Sequence, residues 1–205
     1  MKSFYTQLLV VVLFFFTSLG FGKQKKDFLS NKKQFILLSF DGSKSIDFWK
    51  KTRSFAKEQG IKFTYFISGP MFFTYKDRMI YNPPRHPRGT SDIDYGGTAQ
   101  EIRERIKQVV LAIEEGNEIG SHANGHFSGH KWSYHEWLSE FKQFRKLIIS
   151  STKRYNASLE EQNFIKKYFL RELEGFRAPL LAHNKKMLKV MRKQGYTYDA
   201  SKINT

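Results

Sequence analysis

Three histidines recur at every fourth position in EIGSHANGHFSGH, residues 118–130. Imidazole can ligate a divalent cation as a neutral donor or pass a proton near neutral pH. The 205 residues include no cysteine, so thiolate ligands and disulfides are excluded, and any metal must use His and carboxylate. Two His nitrogens on one ion must each come within about 2.0–2.1 Å of it. In a straight strand, positions i and i+4 stand roughly 13 Å apart. His122 and His126 can therefore share an ion only if the segment coils, and Asn124-Gly125 between them suits such a turn. The same spacing fits two ordinary loop histidines, and HANGH lacks the glutamate of the HExxH zinc-protease helix. His130 and His135 have weaker claims.

Other groups with chemistry to offer are Asp41, Arg177 and Asp199, and what joins them is their place in the elements. QFILLSF (34–40) is an apolar run ending at the Asp41-Gly42-Ser43 turn signal, which predicts a buried strand. Helical character follows over 46–59, closed by Gly60, and KFTYFIS (62–68) predicts a second strand. Residues 71–97 carry Pro83, Pro84, Pro87, Gly89, Gly96 and Gly97 and predict a long irregular excursion, of a length that is usually functional or disordered. Thr98 as cap, Glu101 three residues on, and the stripe Ile102, Ile106, Val109, Val110, Ile113 predict a helix. NEIGS (117–121) reads as a third strand. Ser133 with Glu136 starts another helix, with Trp137, Phe141, Phe144, Leu147 and Ile148 inward; residues 164–170 have helical character too. A strand within 172–179 ends at Arg177, residues 184–194 are helical, and YTYDAS (196–201) begins a fifth strand. Strand and helix alternate, which predicts parallel βαβ units in a barrel or a doubly wound sheet. In either, the C-terminal strand ends form the rim where sites are built, and Asp41, His122, His126, Arg177 and Asp199 all fall there. The alternation stops as a strand begins, so a fragment of a longer fold is expected.

The N-terminus has a different logic. Lys2, the apolar run LLVVVLFFF and small residues at 17–20 predict a secretory signal peptide over 1–22, with cleavage near Gly20 or Gly22. The run is shorter than the roughly 20 apolar residues of a spanning helix, so no stable membrane span is expected after cleavage. KQKK opens a basic leader, 23–33, and the domain runs from 34 to 205. The chain has 35 Lys and Arg against 19 Asp and Glu, scattered rather than blocked, as on a solvated basic surface. With export to the medium, periplasm or cell envelope expected, nucleic acid is not an expected partner.

Four motifs together, LLSFDGS (37–43), HANGH (122–126), FRAP (176–179) and GYTYDAS (195–201), resemble the polysaccharide deacetylases with the NodB-homology domain, in that family's order. The resemblance covers residues 34–201. It implies a distorted (β/α) barrel, incomplete in this chain, and a hydrolase that removes N- or O-acetyl groups from chitin-like polymers, peptidoglycan or xylan. It implies a divalent metal, commonly zinc, held by His122 and His126, with Asp41 as general base and Arg177 orienting it. Pro179 and Asp199 would line the substrate pocket, Asp199 in contact with the arginine, while Leu180 replaces the usual aromatic. The family's second Asp, its third metal ligand, aligns with Gly42; slipping by one would make Asp41 the ligand and leave no base. Either way one carboxylate is missing, and Asp92 and Asp94 on the excursion are the candidates to supply it. The family's closing Leu-x-Leu-His, source of the leaving-group acid, has no counterpart here. An alternative of the same fold is a secreted carbohydrate-binding pseudoenzyme with an aromatic groove of Tyr95, Trp132, Tyr134 and Trp137.

Overall fold

The computed structural model describes residues 36–42 and 44–202; the signal peptide expected over 1–22 and the basic leader, 23–33, lie outside them. Five strands form one sheet in the order β1 (Ser39–Gly42), β2 (Thr64–Ile67), β3 (Glu118–Ser121), β4 (Gly175–Phe176) and β5 (Tyr198–Asp199). Every pairing is parallel. Strand order follows chain order, as in a (β/α) barrel and without the reversal of a doubly wound sheet. Among the described residues the sheet stays open, with β1 and β5 at its edges.

The helices form where local signals place them. Helix α1 (Ile46–Gln59) starts at Ser45, whose hydroxyl accepts from Phe48 N–H, and ends at left-handed Gly60. Full capping boxes open α2 (Ala99–Glu114) at Thr98/Glu101, α3 (Tyr134–Arg154) at Ser133/Glu136 and α4 (Leu159–Lys167) at Ser158/Glu161. Asn184 caps α5 (Lys185–Lys193). Helix α3 buries Trp137, Phe141, Phe144, Leu147 and Ile148, spaced three or four apart, and the ring of Phe141 meets that of Phe176 edge-on 4.7 Å away. Among the described residues no helix is long and apolar enough to cross a membrane.

Several expectations need correction. Four of the five strands, at 39–42, 64–67, 175–176 and 198–199, are shorter than the apolar runs suggested, because pairing ends where the neighbouring strand ends. The excursion is less irregular than expected, opening with two 3₁₀ turns, Gly69–Phe72 and Tyr75–Ile80. The proposed aromatic groove does not exist as such. Trp132 and Trp137 are buried and pack edge to face on each other at 4.7 Å, so they serve the core.

Register does the rest. Gly42 pairs with Ile67, Ile67 with Ser121, Ser121 with Phe176, and Phe176 with Asp199. This single row crosses the whole sheet, so Asp41, His122 and Arg177 lie within one residue of it and share one rim. Asp41 and Arg177 sit one row before and one row after it, two residues apart in register, and so point to the same face. In a flat sheet β1 and β4 would be about 14 Å apart. The Asp41–Arg177 contact described below therefore requires the sheet to curl, as it does in a barrel.

Candidate active site

Residues 122–126 leave β3 and coil at once. Ala123 and His126 take left-handed backbone conformations, φ 56° and 60°, each costing roughly 1–2 kcal/mol for a residue with a side chain. The bend brings the His122 and His126 rings to 5.2 Å between centroids, at 64° to each other. A straight strand could not do this. The bend is held from all sides by hydrogen bonds. His122 N–H donates to Ile67 C=O (2.8 Å), Gly69 N–H to Ala123 C=O (3.1 Å) and Asp92 N–H to Gly125 C=O (2.8 Å). Asn124 N–H donates to Glu140 Oε1 (2.9 Å) and Gly125 N–H to Tyr81 Oη (3.1 Å). Gly69 must lack a side chain, since a Cβ there would stand 2.1 Å from Asn124 Oδ1.

Arg177, one residue past β4, reaches both halves of the site. Its backbone carbonyl lies 2.8 Å from His122 Nδ1. A carbonyl only accepts, so Nδ1 carries the proton and the Nε2 lone pair of the neutral ring is left for a ligand. Burial holds His122 below the usual imidazole range and so favours the neutral ring, partly opposed by the Asp41 charge and by the bond to Arg177, which favour the charged form. The Arg177 guanidinium donates to Asp41 Oδ1 (2.9 Å) and to Ser39 Oγ (2.7 Å) and lies 4.4 Å from the centre of the Phe66 ring. Asp41 is about two-fifths exposed, so the pair orients the carboxylate more than it stabilises the fold.

The remaining candidates are placed differently. The Asp199 side chain does not touch Arg177; it accepts from the Ser201 backbone N–H (2.9 Å) and hydroxyl, and Ser201 Oγ in turn accepts from Ala178 N–H (2.7 Å). The contact to Arg177 comes instead from the Ala200 carbonyl, at 3.4 Å from Nε. Asp199 thus steadies the backbone beside the arginine. Pro179 is buried and opens a short turn in which Leu180 and Leu181 are left-handed, with Leu180 facing solvent. Asp94 is spent on an exposed ion pair with Lys44 (2.9 Å), and the backbone, not the side chain, of Asp92 meets the histidine turn. His135 is exposed. Sequence reading missed Ser39 and Ser201, though each lies two residues from a named acid and so on its face of the strand.

Two adjacent imidazoles, one with its free nitrogen defined, suit a borderline metal such as zinc. Among the described residues no group of three His, Asp or Glu converges. Gly42, beside Asp41, offers no side chain to such a group and holds a left-handed φ of 92°. The residues fit an ion as a two-point site.

Glu140 on α3 gives a pH test of the scaffold. Burial pushes its carboxyl up to about 7, against hydrogen bonds from Asn124, Tyr81 and Gly125 that favour the charge. A carboxyl raised in the folded state adds stability that is fully present below its unfolded value, near 4.5, and is lost as pH rises through about 7. From pH 5 to 8 the melting temperature of the parent should therefore fall relative to Glu140→Gln. The His122 contribution has the opposite sign but is common to both proteins. A difference that stays flat across that range would contradict the assignment.

Comparison with known proteins places these features. The family profile described as polysaccharide deacetylase matches residues 29–198. No curated protein matches in sequence. Among solved structures, the chain is similar to a CE4 family pseudoenzyme from Bacillus anthracis, at 11% identity and TM-score 0.51, over 82% of this chain and 43% of that one. A mutant CE4 family pseudoenzyme with restored enzymatic activity gives 12% identity and TM-score 0.51, over 82% and 44%. A chitin deacetylase from the fungal pathogen Colletotrichum lindemuthianum gives 14% identity and TM-score 0.49, over 80% and 53%. The chain thus spans about half, or less, of the length of each of these structures.

Proposed function

This chain belongs to the polysaccharide deacetylase family, and on that premise we propose that it is a metal-assisted hydrolase removing acetyl groups from an extracellular or cell-envelope polysaccharide. One observation carries the reading. Arg177 bonds through its carbonyl to His122 and through its guanidinium to Asp41, so one residue sets the ligand tautomer and the base together.

His122 and His126 would hold the ion, which when bound supplies Lewis acidity toward an acetyl carbonyl. Asp41 takes the proton of the attacking water. Its charge suits that task, and Arg177 holds one carboxylate oxygen while leaving the other to face the water. Arg177 is in turn fixed by Ser39, Phe66 and Ala200, which keeps the base within a narrow range of positions. The charged start, apolar run and small residues at 1–22, read as a signal peptide, support action outside the cytoplasm, where acetylated polymers are met.

Gly42 favours a second reading, a carbohydrate-binding pseudoenzyme, because the position that would bear a further carboxylate has none. The test measures acetate release from acetylated chitooligosaccharides and acetylxylan across a zinc titration. Expected are zinc-dependent release by the parent and, in His126→Ala, a half-maximal zinc concentration at least about tenfold higher. Glycan binding by the parent without acetate, with release gained in Gly42→Asp, would establish the second reading instead. That variant has room, since a Cβ at Gly42 meets nothing within 4 Å, and Asp is among the residues that best tolerate a left-handed backbone.

A further inference from the structure

The histidine turn is anchored to a buried polar pair that the chemistry above does not use. Glu140 sits in the middle of α3, 1% exposed, and Tyr81, at the end of the second 3₁₀ turn, is fully buried. Both Glu140 carboxylate oxygens lie 3.1 Å from the Tyr81 hydroxyl, which donates to them. The pair spends its remaining capacity on residues 124 and 125 alone. Glu140 Oε1 accepts from Asn124 N–H, and Tyr81 Oη accepts from Gly125 N–H. Asn124 Nδ2 closes the ring on the Glu140 backbone carbonyl at 3.0 Å. These two amides lie between the left-handed residues Ala123 and His126, so they fix the part of the chain that determines whether the two rings face each other.

We propose that Glu140 and Tyr81 are positioning residues of the histidine turn, acting as one unit that holds His126 beside His122. The hydrogen bonds of the pair go to the backbone of the turn and to neither ring. An α3 carboxylate and an excursion hydroxyl, 59 residues apart in sequence, meet under the turn and convert two buried backbone donors into its anchor. Hydrogen bonds to a buried carboxylate are stronger than neutral ones, which suits an anchor that must hold a strained backbone. The inference rests on the two-histidine reading of the site for its functional meaning, though not for its geometry.

The experiment uses two readouts on the whole protein. The first is the zinc dissociation constant by calorimetry at pH 7.5. It should rise at least tenfold in Tyr81→Phe and Glu140→Met and stay within about threefold of the parent in Glu140→Gln, which keeps an acceptor for Asn124. Phe144→Leu, on the same helix but packed against Phe169, serves as the control: it should lower the melting temperature without changing zinc affinity. The second readout is amide hydrogen exchange in the metal-free protein. In Tyr81→Phe, exchange at Asn124 should accelerate at least tenfold relative to Ile119, although the acceptor of Asn124 is itself untouched, because the pair acts as a unit.

Parent-like zinc affinity in Tyr81→Phe overturns the proposal, as does an equal loss in Phe144→Leu, which would mark general destabilisation. If the parent binds no zinc, the two-histidine reading falls, and exchange alone decides. Acceleration at both Asn124 and Gly125 then upholds the anchor, and acceleration at Gly125 only rejects it. Should Glu140→Met fail to fold, Tyr81→Phe carries both measurements.

Discussion

Asp41→Asn is expected to lower zinc-dependent acetate release by about 10²–10⁴-fold, the range over which a positioned general base contributes. Asparagine keeps the size of the side chain and an oxygen that can accept from Arg177 Nη1, now 2.9 Å from Asp41 Oδ1. What it removes is the ability to take a proton. The loss should therefore fall on kcat, with KM little changed, because the substrate still meets the same surface. Stability should change by less than about 1 kcal/mol, since the Asp41–Arg177 pair is partly exposed and weakly stabilising. Steady-state kinetics at saturating zinc, with a thermal melt of each protein, separates the two effects. Activity within threefold of the parent would show that Asp41 is not the base. A matching loss of zinc affinity would instead make it the missing ligand, the alternative left open by the one-residue slip at Gly42.

The second large effect is on stability and lies away from the reacting groups. Arg105 on α2 is 1% exposed and bonds to no carboxylate. Its Nε and Nη2 donate to the Lys44 carbonyl (3.1 and 2.6 Å), and its Nη1 donates to the carbonyls of Met71 (2.6 Å) and Gly96 (3.1 Å). Burial pushes its pKa down to about 10, with nearby Glu101 opposing. Lys44 follows the Asp41-Gly42 turn, while Met71 and Gly96 bound the excursion, so one guanidinium ties the base-bearing strand end to both ends of the long connection. Replacing a buried ion pair with apolar side chains is often harmless because both charges go. Here the acceptors are backbone carbonyls and remain. Arg105→Met should cost about 3–5 kcal/mol, and a melting temperature lower by roughly 10 °C follows for a domain of this size. Arg105→Lys should recover only part, since a point charge cannot serve three carbonyls as a planar fork does. Urea denaturation of the three proteins measures this. A methionine variant within 1 kcal/mol of the parent would mean that water replaces the guanidinium at those carbonyls.

Both predictions depend on contacts between distant segments, and the limits of the sequence follow from that. Helix starts were legible because a cap and its partner lie three residues apart. Thr98 and Ser133 stand at N-termini in the structure as their spacing suggests. The order of strands and helices, and the rim at the strand ends, could be read from local patterns of period two and 3.6. Strand lengths could not, because a ladder ends where its neighbour stops, and β4 and β5 keep only two paired residues each.

By itself, then, the sequence determined the alternating parallel architecture and which residues reach the rim. It also determined that any metal must be held without sulfur, and that the segment from 122 to 126 must coil if its histidines are to meet. Only the tertiary structure decided that they do face each other, through left-handed backbone at Ala123 and His126 that no propensity favours. It alone decided that the sheet curls enough for Arg177 to reach Asp41, that Asp199 turns to Ser201, and that Trp132 and Trp137 are core. Glu140 and Arg105 show the physical reason. By residue type each reads as a solvated charge although it lies on the inward stripe of its helix, and burial becomes possible only when backbone groups from other segments arrive to satisfy it. Local patterns carry information about turns and faces, whereas the partners of a buried polar group are set by packing between elements far apart in the chain.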